Sequence, residues 1–163
     1  SEAWLANEDL FVRELRTGHD HAEHAADLLR AHGLHVTVTP LEVRDHVGLR
    51  DAFRDEHDLT VQHRHRIEVK SRRLAFTGPD DYPYDTVFVY SLRGWQAKTH
   101  KPSAIIVVSQ VTGSAVVVPR TSEPEWVVRR TGDAVRQIEY DVLEAPRRVL
   151  RTISQLAEWA TRT

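Results

Sequence analysis

The stretch Ile67-Glu68-Val69-Lys70 sets the strongest constraint on how this chain folds. In an extended strand successive side chains alternate between faces. Ile67 and Val69 therefore turn toward a core, while Glu68 and Lys70 share the opposite side. Asp58-Leu59 stands just upstream and reads as the start of a neighbouring strand. For Asp58 to join Glu68 on one face of an antiparallel pair, the connection needs an odd number of residues, for instance Gln62-His63-Arg64. In that register two carboxylates and an ammonium converge. Hard oxygen donors of this kind suit a divalent cation such as Mg²⁺ or Mn²⁺, beside which a water could be activated against a phosphodiester.

The choice of cations sharpens the reading. Of 22 basic residues only Lys70, Lys98 and Lys101 are lysines, and the rest are arginines. In a chain that avoids lysine, one placed in an apolar strand is expected to be there for its compact, titratable charge, which arginine does not supply. Net charge is −2, so no global basic field draws in nucleic acid, and any such binding must use local patches. Cysteine is absent, which excludes disulfides, thiol catalysis and Cys-ligated zinc. No apolar run approaches the roughly 20 residues of a membrane helix, so no membrane partner is expected. Ser1–Leu10 lacks the basic and apolar regions of a signal peptide, which makes a cytoplasmic setting the default.

The 163 residues suit one domain spanning 1–163. Its expected core covers about 8–119. Helical spacing runs from about Glu8 to Ala31, with Leu10, Phe11 and Leu15 on one stripe, an interruption at Gly18, then Ala22, Ala25, Ala26, Leu28 and Leu29 continuing it, and Gly33 as the stop. Leu34–Thr39 alternates as a first strand, and Leu41–Glu56 reads as a surface loop or short helix. Asp58–Val61 and His65–Ser71 follow as strands, then a loop over Thr77–Tyr84, a strand over Thr86–Tyr90 and a polar connection over Leu92–Lys101. Ala104–Ser109 and Ser114–Val118 form a hairpin about Val111-Thr112-Gly113. Pro119–Pro124 reads as loop, Trp126–Arg130 has no clear pattern, and Gln137–Val142 reads as a last strand. Pro146–Ala160 reads as a terminal helix, with Val149, Leu150, Ile153, Leu156 and Ala157 at core spacing. The expected fold class is α/β, with helices bracketing a mixed or mostly antiparallel sheet.

The ordered set Asp58, Glu68-x-Lys70 resembles the signature of the PD-(D/E)XK nuclease superfamily, whose core is restriction-endonuclease-like. Upstream, Gly18-x4-Glu23, then Ala25-Ala26, Leu28-Leu29 and Gly33-Leu34-His35-Val36 resemble its leading helix and first strand. The resemblance spans about residues 18–90, and the stretch from Phe76-Thr77 through Asp85 to Pro119 also looks like small phage-encoded members of the superfamily. His57 stands where the family often has proline, and Gln96 is followed by His100 rather than the tyrosine of a Gln-x3-Tyr motif. The resemblance implies a Mg²⁺- or Mn²⁺-dependent deoxyribonuclease in a bacterial cell or phage-infected host. Asp58, Glu68, Glu23 and the Val69 carbonyl would hold the ion, and Lys70 would orient water or support phosphate charge. DNA is the implied partner. A homodimer is compatible with the way many relatives cut both strands.

Around the strand, Arg66, Arg72 and Arg73 are the candidates for phosphate contact. The plainer reading of Asp58, Glu68 and Lys70 is an exposed cross-strand ion pair of little energetic weight. For Glu23 the plainer reading is a solvated helix position beside His19 and Asp27. The ten histidines read as polar surface rather than a zinc site. An alternative to turnover is a DNA- or protein-binding module with the same fold.

Overall fold

Every residue from Ala104 to Ser109 is buried, so this strand needs cover on both faces. That requirement organises the molecule. The structure is a computed structural model that describes residues 2–40, 58–135 and 137–163. In chain order its elements are α1 (Glu2–Arg30), β1 (Val36–Val38), β2 (Leu59–Val61), β3 (His65–Arg72), β4 (Thr86–Ser91), α2 (Leu92–Ala97), β5 (Ala104–Ser109), β6 (Ala115–Pro119), β7 (Val127–Asp133), β8 (Ile138–Pro146) and α3 (Ile153–Arg162). Short 3-10 turns lie between several of them.

Five strands form one mixed sheet in the order β1-β2-β3-β5-β6. β3 and β5 run parallel, and the other neighbours are antiparallel. A parallel pair requires a crossover, and the segment carrying β4 and α2 supplies it. The second sheet is a separate antiparallel β4-β8-β7. On one face of the mixed sheet Ile67, Val69, Ala104, Ile106, Val108 and Val117 pack against Ala22, Ala25, Ala26 and Leu29 of α1 and Leu156, Ala157 and Ala160 of α3. On the other face Ile105, Val107, Val116 and Val118 pack against Val87 and Val89 of β4, Leu143 and Ala145 of β8, and Trp95 of α2.

The α/β class therefore holds, and the layering differs from expectation. The long helices cover one face, and a second sheet covers most of the other. Local boundaries shift for physical reasons. α1 passes through Gly18 without a break and ends where Gly33 takes φ +81°, the left-handed conformation that stops a helix without Cβ strain. Leu92–Ala97 is helical, because Ser91 caps it by accepting from the Gly94 amide. Val127–Asp133 is a strand, and the strand after it runs on to Pro146, which pairs with Thr86. Pro146 thus ends a strand and leads into a single 3-10 turn over Arg147–Val149, ahead of the α-helix. The terminal helix begins after Thr152, whose hydroxyl accepts from the Gln155 amide while the Gln155 side chain accepts from the Thr152 amide. The expected loop or helix over Leu41–Glu56 lies outside the described residues, as do the side chains of Leu10, Phe11 and Leu15.

Candidate active site

The turn Gln62-His63-Arg64 joins β2 to β3 with three residues. Gln62 and His63 take positive φ of 54° and 63°, and the Arg64 amide closes the turn on the Val61 carbonyl. No glycine is used. The side-chain oxygen of Gln62 accepts from the His35 amide at 2.8 Å, and the His35 and His63 rings stack at 4.0 Å. These contacts hold a conformation that costs L-residues of this kind on the order of 1 kcal/mol or more each. The turn fixes Leu59 opposite Ile67 and Thr60 opposite Arg66. Continued by one residue, the register sets Asp58 across from Glu68 on the same side of the sheet.

Asp58 reaches across β3. Its Oδ2 accepts from the Val69 amide at 2.7 Å. Burial, the nearby charge of Glu68 and a hydrogen bond between the two carboxyl groups push the Asp58 pKa up to about 7, although the Val69 amide and Lys70 pull the other way. Near neutral pH the Asp58 carboxyl therefore titrates against its neighbour.

Glu68 is in register with Ile105 and Lys70 with Val107, so both face the seam between the two sheets. There Glu68 Oε1 accepts from Lys98 Nζ at 2.8 Å, with side-chain exposures of 6% and 1%. Lys98 is the residue that ends α2. The Lys70 ammonium lies 4.1 Å from the centre of the Tyr90 ring, and that of Lys98 lies 5.2 Å from it. Tyr90 follows a register shift in β4 against β8, the kind of irregularity that re-aims a side chain. Burial, then the charges of Glu68 and Asp58, hold its hydroxyl well above the usual tyrosine range. The site is thus two carboxyl groups in contact, two ammonium groups and a phenol, gathered from β2, β3, β4 and α2.

Of the residues expected from sequence, Asp58, Glu68, Val69 and Lys70 come together. Glu23 does not join them. It lies on the exposed face of α1, half exposed, and pairs with His19 at 3.7 Å and Arg30 at 3.8 Å. Arg66 is exposed opposite Thr60, toward the turn end of β3. The Arg72 side chain is near Tyr82, whose hydroxyl feels its charge. Arg73 is exposed just past the strand. Lys98 and Tyr90 were not expected. The signal for Lys98 was its rarity, as one of three lysines. Its position in a polar stretch hid it.

The donor set tests the implied ion. Among the described residues no group of three or more His, Asp or Glu side chains could hold a metal. Two touching carboxylates fit Mg²⁺ or Mn²⁺, which are commonly held through one or two carboxylates with waters and substrate phosphate completing the sphere. They do not fit an all-protein cage. Comparison with protein-family models, curated proteins and solved structures found no match.

Proposed function

We propose that the protein is a metal-dependent deoxyribonuclease that hydrolyses DNA phosphodiesters, acting in the cytoplasm of a bacterium or phage-infected host. The observation that carries this reading is the contact between the Asp58 and Glu68 carboxyl groups on one face of β2–β3, with Lys70 beside them. Two carboxyl groups forced together in a partly dry place repel once both ionise, and a divalent cation relieves that repulsion better than a single ammonium. Element order also supports the PD-(D/E)XK resemblance: a leading helix, three antiparallel strands, a crossover and a parallel strand.

Asp58 and Glu68 would hold the ion, with Asp58 locked in place by the Val69 amide. When bound, Mg²⁺ or Mn²⁺ lowers the pKa of a bound water and offsets charge on the phosphoryl oxygens. Lys70 supplies a point charge at the mouth of the site, to orient that water or stabilise phosphate charge. Tyr90 keeps the Lys70 ammonium close to the carboxylates through its ring face. The test is cleavage of plasmid and linear DNA with Mg²⁺ or Mn²⁺ by the wild type, Lys70→Ala and Asp58→Asn. A loss of roughly 100-fold or more is expected in each variant. Cleavage unchanged in both would reject the site.

One observation favours a second reading. Glu68 is already engaged by Lys98 and almost closed to solvent. That suits a DNA- or protein-binding module in which the pair is architectural. Mn²⁺ titration separates the two, since binding lost on Asp58→Asn belongs to the nuclease reading and no binding at all to the module.

A further inference from the structure

α1 and the end of β3 enclose a groove of about 760 Å³. Arg13, Thr17 and His21 line it from the helix, and Lys70, Ser71 and Arg73 from the strand and just beyond it. Three of these side chains are basic, two are hydroxyls, and no carboxylate is among the described lining residues. In a chain of net charge −2 this is a concentrated positive strip. Gly18 also lines it, and a Cβ added there would meet nothing within 4 Å. Mid-helix glycine is unfavourable relative to alanine. Here the missing side chain leaves the helix backbone open to whatever fills the groove. The groove also reaches Lys70, the residue whose ammonium stands at Tyr90 beside the carboxyl pair.

We infer that this groove seats the sugar–phosphate backbone of a nucleic-acid strand, with Arg13 and Arg73 neutralising phosphates next to the one presented at Lys70. The inference rests on the nuclease reading for what happens at Asp58 and Glu68, and on the groove alone for binding. Cations and hydroxyls engage phosphate and sugar and carry no sequence information. No aromatic ring apart from His21 is among the described lining residues, so stacking on bases contributes little. Binding is therefore sequence-independent. Arg66 and Arg72 are not among its described lining residues.

Fluorescence anisotropy with labelled oligonucleotides of unrelated sequence, in EDTA, tests this. Arg13→Ala/Arg73→Ala is expected to weaken binding roughly tenfold or more, with Mn²⁺ binding by calorimetry unchanged. Gly18→Leu is expected to weaken it as well, by filling the groove while favouring the helix, and circular dichroism checks that each variant is folded. Folded variants that bind like the wild type, or a wild type that binds no oligonucleotide, would overturn the groove assignment. Cleavage is read separately. If DNA is cut but the variants bind normally, the groove fails and the nuclease reading stands. If binding depends on the groove and no metal supports cleavage, the groove stands and the nuclease reading fails.

Discussion

Asp58 is where sequence parity, electrostatics and proposed chemistry meet. Its shared face with Glu68 was legible because a strand repeats every two residues and a three-residue turn preserves that parity. What parity could not show was how deep the pair lies, since that depends on the second sheet. The consequence is a measurable stability. Folding raises the Asp58 pKa from 3.8 to about 7, so the folded state binds more protons than the unfolded one between those values. Its contribution is fully present below about pH 4 and is lost as pH rises through 7. Asp58→Asn removes the titration and can keep an oxygen for the Val69 amide. The variant is expected to melt higher than the wild type at pH 8, with the gap shrinking at pH 5. Thermal melts across that range check it, and a gap that does not depend on pH would contradict the assignment. Lys98 gives the opposite case. Lys98→Met removes the ammonium nearest Glu68 and is expected to cost about 3–5 kcal/mol. Chemical denaturation reads that loss, and Glu68→Gln in the same chain should recover part of it.

At the scale of elements, the signals that succeeded were periodic and those that failed were caps and pairings. The stripe of α1 was readable because its apolar positions recur at helical spacing, and β5 because it is a short unbroken apolar run. The start of α3 was misplaced at Pro146, since proline favours both a first helical turn and an extended strand end. Pairing of Pro146 with Thr86, more than fifty residues away in sequence, decides for the strand. Thr152 then starts the helix with its reciprocal bonds to Gln155. Thr152→Ala should cost about 1 kcal/mol, seen as a lower denaturation midpoint with an unchanged slope. α2 was unreadable for a related reason. A six-residue helix is too short to show a period, and only the Ser91 cap betrays it.

Across the whole molecule, the layer that encloses the candidate site is built from the parts of the sequence with the least local pattern. β4 pairs with β8 rather than with any strand near it, and β7 joins outside them. That sheet brings Tyr90 down on the carboxyl pair, while the crossover through α2 brings Lys98. Contacts so distant in sequence leave no periodic trace, which is why Asp58, Glu68 and Lys70 were legible and their enclosure was not. The same architecture limits how nucleic acid can be held. With a net charge of −2, long-range attraction is weak, and the groove offers three basic side chains, Arg13, Lys70 and Arg73, among its described lining residues. Each phosphate neutralised on duplex DNA contributes about −0.9 to the slope of log affinity against log salt concentration, so three contacts give a slope of roughly −3. Anisotropy titrations at several salt concentrations measure it directly. A slope near −8 would mean that a basic surface much broader than the groove dominates binding. A slope near zero would mean that the contacts are not with phosphates.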